Sequence, residues 1–126
     1  MTQRGFTSLE QARALLGLGL KPETADMHFF IDESVKVDMR YSKEAEECYK
    51  NTSLEYLPCW SLNALTLLMQ PIYVEPTRFE AQMRCSQGKY YFTYRNALNH
   101  QLLVTKQYEL PIDAAVEMVT KLLKQN

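Results

Sequence analysis

The side chains of this chain best suited to metal binding or nucleophilic catalysis are Cys48, Cys59 and Cys85 with His28 and His100. Zinc sites are recognisable from local pairs such as C-x-x-C or H-x-x-x-H, because ligands that close together can converge on one ion. Here the nearest candidates stand more than ten residues apart. The pattern therefore implies no metal and no cofactor. A nucleophilic arrangement can be drawn with Cys59 attacking, His28 or His100 as base and Asp26 as orienter, which would make a small cysteine-dependent hydrolase. Any chain with three cysteines and two histidines permits that drawing. The chain also lacks a nucleophile elbow and both glycine-rich phosphate loops, G-x-x-x-x-G-K and G-x-G-x-x-G. No catalytic residue is assigned, and an enzyme is not the expectation.

A different chemistry is suggested by Lys89-Tyr-Tyr-Phe-Thr-Tyr-Arg95, where aromatics alternate along a strand between basic ends. Single-strand binders stack bases on such sheet aromatics and hold the phosphates with nearby cations. The candidate surface is Arg84, Lys89, Tyr91 and Arg95. One face of that strand must pack on the core, and Tyr90, Phe92 and Tyr94 are the natural choice. That leaves Tyr91 alone on the other face, a poor platform. The segment also lacks the glycines of an RRM signature. The formal charge of −1 and the pI of about 6.1 argue against a whole-protein pull toward nucleic acid.

A protein-binding module is the leading expectation. Tyr49, Tyr56, Tyr73 and Tyr108 fall near loops or strand ends, and tyrosine joins apolar area to a polar tip at interfaces. A strand edge that pairs with its twin would make a homodimer. Single-stranded nucleic acid binding is the alternative.

These residues need a scaffold, and 126 residues suffice for one domain, taken as 1–126, with one core. An odd cysteine count is no secreted disulfide framework. The start shows no signal-peptide pattern and no apolar run reaches bilayer length, so a cytoplasmic protein is expected. Thr7-Ser-Leu-Glu10 has the form of a capping box, predicting a helix over 8–17 that Gly17 or Gly19 ends. Apolar runs predict strands over 27–31 and 35–41 with a turn at Asp32-Glu-Ser34. Ser42 is placed to cap a short helix over 43–49, followed by loop at Asn51-Thr-Ser53. Ser61 and Pro71 bracket a second helix over 62–69. Strict alternation over 79–85, then 90–95 and 101–109, predicts an antiparallel three-strand meander. The last helix starts at Pro111. Its apolar stripe is Ile112, Ala115, Val116, Val119, Leu122 and Leu123, and its acidic start and basic end suit the helix dipole. The fold class expected is α+β: a mostly antiparallel sheet covered by two or three helices.

Three places together resemble a family of small proteins encoded in phages and prophages of gut Bacteroidetes. They are Thr24-Ala-Asp-Met27, Leu57-Pro-Cys-Trp-Ser-Leu62 with Leu65, and Asp113-Ala with Glu117-Met118 and Leu122-Leu123. The spacing between them is also similar, so the resemblance covers most of the chain. It implies a mobile-element origin and a bacterial cytoplasm. It implies no activity and carries over no site residue.

Overall fold

The structure, a computed structural model with side chains, describes residues 4–31, 37–41 and 55–125. The expected turn at 32–34, the helix over 43–49, the loop at 51–53 and Cys48 lie outside those residues. The first helix, α1 (Leu9–Gly17), is capped by Ser8. Ser8 Oγ accepts the Gln11 N–H at 3.1 Å, and Gln11 Oε1 accepts the Ser8 N–H at 2.9 Å. The expected Thr7–Glu10 box is thus displaced by one residue. Thr7 is committed elsewhere: its N–H donates to the Trp60 carbonyl and its hydroxyl accepts the Trp60 N–H. The helix closes as a Schellman motif, with Gly19 at φ 96° and the Leu20 N–H returning to Leu15 O at 3.1 Å.

After a 3-10 turn (Pro22–Thr24) comes β1 (Met27–Ile31), which pairs antiparallel with β2 (Val37–Tyr41), as expected. A strand absent from the sequence-based expectation, β3 (Glu55–Cys59), pairs with the other side of β1. The order β2-β1-β3 leaves β3 at an edge, which tolerates Pro58 because a missing N–H there breaks no central ladder. Next, α2 (Leu62–Leu67) ends two residues before the expected stop, and Ser61 Oγ accepts the Ala64 N–H at its start.

A second antiparallel sheet follows in the order β4 (Ile72–Val74), β5 (Thr77–Ser86), β6 (Lys89–Arg95) and β7 (Gln101–Val104). The meander predicted for β5 to β7 is present, and β4 adds a short fourth strand. The β5–β6 turn places Gln87 and Gly88 at φ 54° and 78°, two positive values in a row. That is the hairpin conformation whose twist matches the flanking strands. The last strand is shorter than its predicted 101–109. Thr105 folds its hydroxyl onto the Phe92 N–H, and the Lys106 N–H turns to the Glu117 carboxylate. Pairing resumes only at the Tyr90–Tyr108 bridge.

The closing helix α3 (Pro111–Lys124) packs on both β6 and α2. Touching two elements widens its buried arc. Ala114 and Met118 are fully buried, whereas Val116, predicted in the stripe, is half-buried. Trp60, Leu65, Phe92, Tyr94, Ile112 and Met118 belong to one buried cluster. The α+β architecture, antiparallel sheets with helices packed on them, is therefore as expected, with two sheets in place of one.

Burial pushes the Tyr94 hydroxyl up to about 12, and the Glu117 hydrogen bond with burial does the same for Tyr108. Each group holds its proton more tightly folded than unfolded. The stability this adds is complete below the ordinary tyrosine range near 10 and is lost as pH rises through about 12. We expect cooperative alkaline unfolding, followed by near-ultraviolet circular dichroism. A signal that changes as freely exposed tyrosines do, beginning near pH 10, would contradict it.

Candidate nucleic-acid interface

In an antiparallel pair, directly opposed residues share a face. The β5–β6 register sets Arg84 against Tyr91, Gln82 against Thr93, Glu80 against Arg95 and Ser86 against Lys89. The four residues singled out in the sequence, Arg84, Lys89, Tyr91 and Arg95, therefore lie on one face of the second sheet. The opposite face carries Phe79, Phe92 and Tyr94, all buried in the core. Tyr90 belongs to that core face too and is half-buried.

Two residues outside that set of four join the outer face: Arg78, not singled out in the sequence, and Tyr73, expected there only as an interface tyrosine near a strand end. Arg78, opposite Tyr73 in β4, sets its guanidinium 5.8 Å from the Tyr73 ring centroid. Tyr73 is 63% exposed, so Tyr91 is not the lone aromatic there. Arg78 was within reach of sequence reasoning, since the alternation that began at Phe79 extends one step back. The place of Tyr73 on this face was not, because a three-residue strand has no detectable period.

The arginines are held rather than loose. Arg95 Nη1 donates to Asn99 O at 3.0 Å and its Nη2 to Gln101 Oε1 at 2.9 Å, which braces the β6–β7 turn. Arg84 Nη2 donates to Gln82 Oε1 at 2.8 Å, and Arg78 pairs with Glu80 at 2.8 Å. The Nε atoms of both Arg84 and Arg95, and Thr93 Oγ1 between them, are buried without a hydrogen-bond partner. An open groove of about 520 Å³ runs past Arg78, Glu80, Gln82, Arg95, Asn96 and Asn99. Arg78, Arg84, Lys89 and Arg95 set against Glu80 leave this face cationic, although the whole chain carries −1. Fixed donors on a rigid sheet suit recognition of phosphate oxygens better than mobile ones, because less ordering entropy is lost on binding.

The cysteine arrangement does not assemble in the same way. Cys59 is opposed to Met27, so His28, one step along β1, lies on the other face of that sheet. His100 is exposed beside β7 in the second sheet. Asp26 is taken by Ser61, whose N–H donates at 2.9 Å and whose hydroxyl donates to the second carboxylate oxygen at 2.5 Å. The Cys59 thiol is fully buried and donates to Thr7 O, and burial pushes it up to about 11. A thiol of that kind is neither ionised nor reachable at neutral pH. In a Cys48→Ser background we expect a thiol reagent to label exposed Cys85 quickly and Cys59 only on unfolding. Rapid native labelling of both would contradict this burial. Among the described residues, no group of three His, Cys, Asp or Glu side chains stands close enough to hold a metal ion. No helix among them is long and apolar enough to cross a membrane.

The residues that carry the phage-protein resemblance are occupied in framework contacts. Trp60 Nε1 donates to Thr24 Oγ1 at 2.9 Å, and Ser61 binds Asp26, so the first two motifs interlock. Asp113 accepts from Arg4 and from Gln11 Nε2, tying α3 to the chain preceding α1 and to α1 itself. Glu117 accepts the Tyr108 hydroxyl at 2.6 Å. Comparison with protein-family models, curated proteins and solved structures gives no match to this chain.

Proposed function

We propose that this chain is a non-enzymatic binding protein of phage or prophage origin, acting in the bacterial cytoplasm, and that its ligand is a single-stranded nucleic acid. One observation carries the reading: Arg84, Lys89, Tyr91 and Arg95 share one sheet face, which Arg78 and Tyr73 extend. On this reading the bases stack on Tyr91 and Tyr73 while the guanidiniums and Lys89 follow the backbone. A duplex fits less well, because its bases are already stacked and cannot reach the tyrosines. The net charge of −1 is no obstacle, since binding responds to the local field within a Debye length of about 8–10 Å.

The test is fluorescence anisotropy with a labelled, unstructured oligonucleotide and the matching duplex, at low salt. The expected result is saturable binding that prefers the single strand. No binding to either at low salt would overturn the proposal.

A protein partner is the second reading, and a separate observation favours it. Met83 is 50% exposed and Cys85 is exposed, both on the apolar side of the β5–β6 hairpin. Exposed apolar side chains on a projecting hairpin suit a protein contact. Co-purification of a stoichiometric protein from the natural host, with oligonucleotide binding absent, would replace the first reading with this one.

A further inference from the structure

Among the described residues, the second sheet has an open edge whose hydrogen-bonding groups can be assigned. Tyr90 exchanges both backbone bonds with Tyr108, and the Phe92 carbonyl accepts from Thr105. The even-numbered residues of β6 thus direct their backbone groups away from β5, and the odd-numbered ones direct theirs toward it. Their β5 partners Glu80, Gln82, Arg84 and Ser86 complete that ladder. It follows that the N–H and C=O groups of Ala81, Met83 and Cys85 point out of the opposite edge. There β4 pairs only as far as Ile72 opposite Phe79. Among the described residues, nothing pairs with β5 beyond that point.

We infer that this edge binds the same edge of a second copy, antiparallel and centred on Met83, so that two sheets join into one. The register is chosen by the sequence itself. Centred on Met83, Ala81 faces the second copy's Cys85 and Met83 faces its twin, and each opposed pair exchanges both backbone bonds. Moving the centre to Gln82 drives the second copy's Cys85 against Phe79, a position β4 already fills. Moving it to Arg84 sets two arginines directly opposite each other, which is destabilising.

Charge complementarity supports the same choice. Each Arg84 lies opposite the second copy's Gln82, with Glu80 on one diagonal and the twin Arg84 on the other, so each guanidinium meets an amide acceptor and a carboxylate against one like charge. On the other face the half-exposed Met83 is covered by its twin. The seam also joins the two cationic faces, so the second copy's Arg84 becomes part of the same surface. The pairing needs no nucleic acid and stands or falls apart from the ligand proposed above.

Sedimentation equilibrium over a range of protein concentrations, without nucleic acid, tests it. The full chain is expected to show a reversible monomer–dimer equilibrium. Met83→Pro removes an N–H that the internal ladder does not use and should weaken the dimer by about tenfold or more at unchanged melting temperature. If that variant unfolds, Met83→Lys serves instead, since it keeps the ladder and sets two ammonium groups together at the seam. In a background with Cys48 and Cys85 changed to serine, Met83→Cys treated with oxidised glutathione is expected to form a disulfide-linked dimer, because opposed Cα atoms about 5.5 Å apart lie within disulfide range. A wild-type chain that stays monomeric at every concentration overturns the inference. So does a dimer that persists undiminished in both Met83→Pro and Met83→Lys.

Discussion

Val119→Asp is expected to leave the chain unfolded at room temperature. Val119 is 2% exposed on α3, in the buried cluster with Trp60, Phe92 and Met118. An aspartate there has no cationic partner on its own helix, because Lys121 and Lys124 are at the outer end and Lys121 is paired with Glu117. Leaving a buried charge uncompensated costs about 3–5 kcal/mol. Losing the buried valine surface adds about 1.5–3 kcal/mol. Domains of this size are stable by only about 5–15 kcal/mol, so a loss of this size removes the stability of a domain in the lower half of that range. Val119→Ala removes only apolar contacts and should lower the melting temperature without abolishing the fold. Circular dichroism melts of both variants decide the matter. A Val119→Asp chain that keeps its wild-type melting temperature would show that α3 does not bury this face.

Tyr91→Ala is expected to weaken oligonucleotide binding by about 1–3 kcal/mol, roughly five- to 150-fold, through loss of one stacked base. Arg84→Ala combined with Lys89→Ala should act differently. Each lost phosphate contact lowers the salt slope by about 0.7 for a single strand, so the double variant should bind more weakly and with a shallower dependence on salt. Arg95 is the wrong residue for this purpose, because its guanidinium also braces the β6–β7 turn through Asn99 and Gln101. Anisotropy titrations over a salt series separate the two effects. Unchanged binding in both variants would show that the oligonucleotide does not bind the outer face.

The parts of the fold visible in the sequence were those with a long period. The closing helix announced itself through Pro111, an apolar stripe and matched end charges. The β5–β6–β7 meander did so through strict alternation from Phe79 onward. The parts that were missed depend on distant partners. Thr7 and Ser8 are both chemically fit to cap α1, and the choice falls to Ser8 because Trp60, far along the chain, engages Thr7. β3 contains a proline and owes its strand to β1, and β4 is three residues long and owes its strand to β5. Neither has a local signature.

The candidate surface was legible for a related reason. Alternation places Lys89, Tyr91 and Arg95 together within one strand, and Arg84 follows once the hairpin register is known. Tyr73 was visible only as an interface tyrosine, and its place on this face arrives through β4 and was hidden with it. The interlock of Thr24 with Trp60 and of Asp26 with Ser61 was equally hidden, since these residues look as suited to chemistry as to structure. Hydrogen-bond geometry assigns them to the framework.

A nuclear magnetic resonance titration of the labelled protein with an unstructured oligonucleotide shows whether this sheet face binds nucleic acid. Amide shifts are expected to concentrate at Gln82, Arg84, Tyr91, Thr93 and Arg95, with Ala115 and Met118 of α3 unmoved. An oligonucleotide that shifts no resonance, or shifts resonances only away from that sheet face, would contradict it.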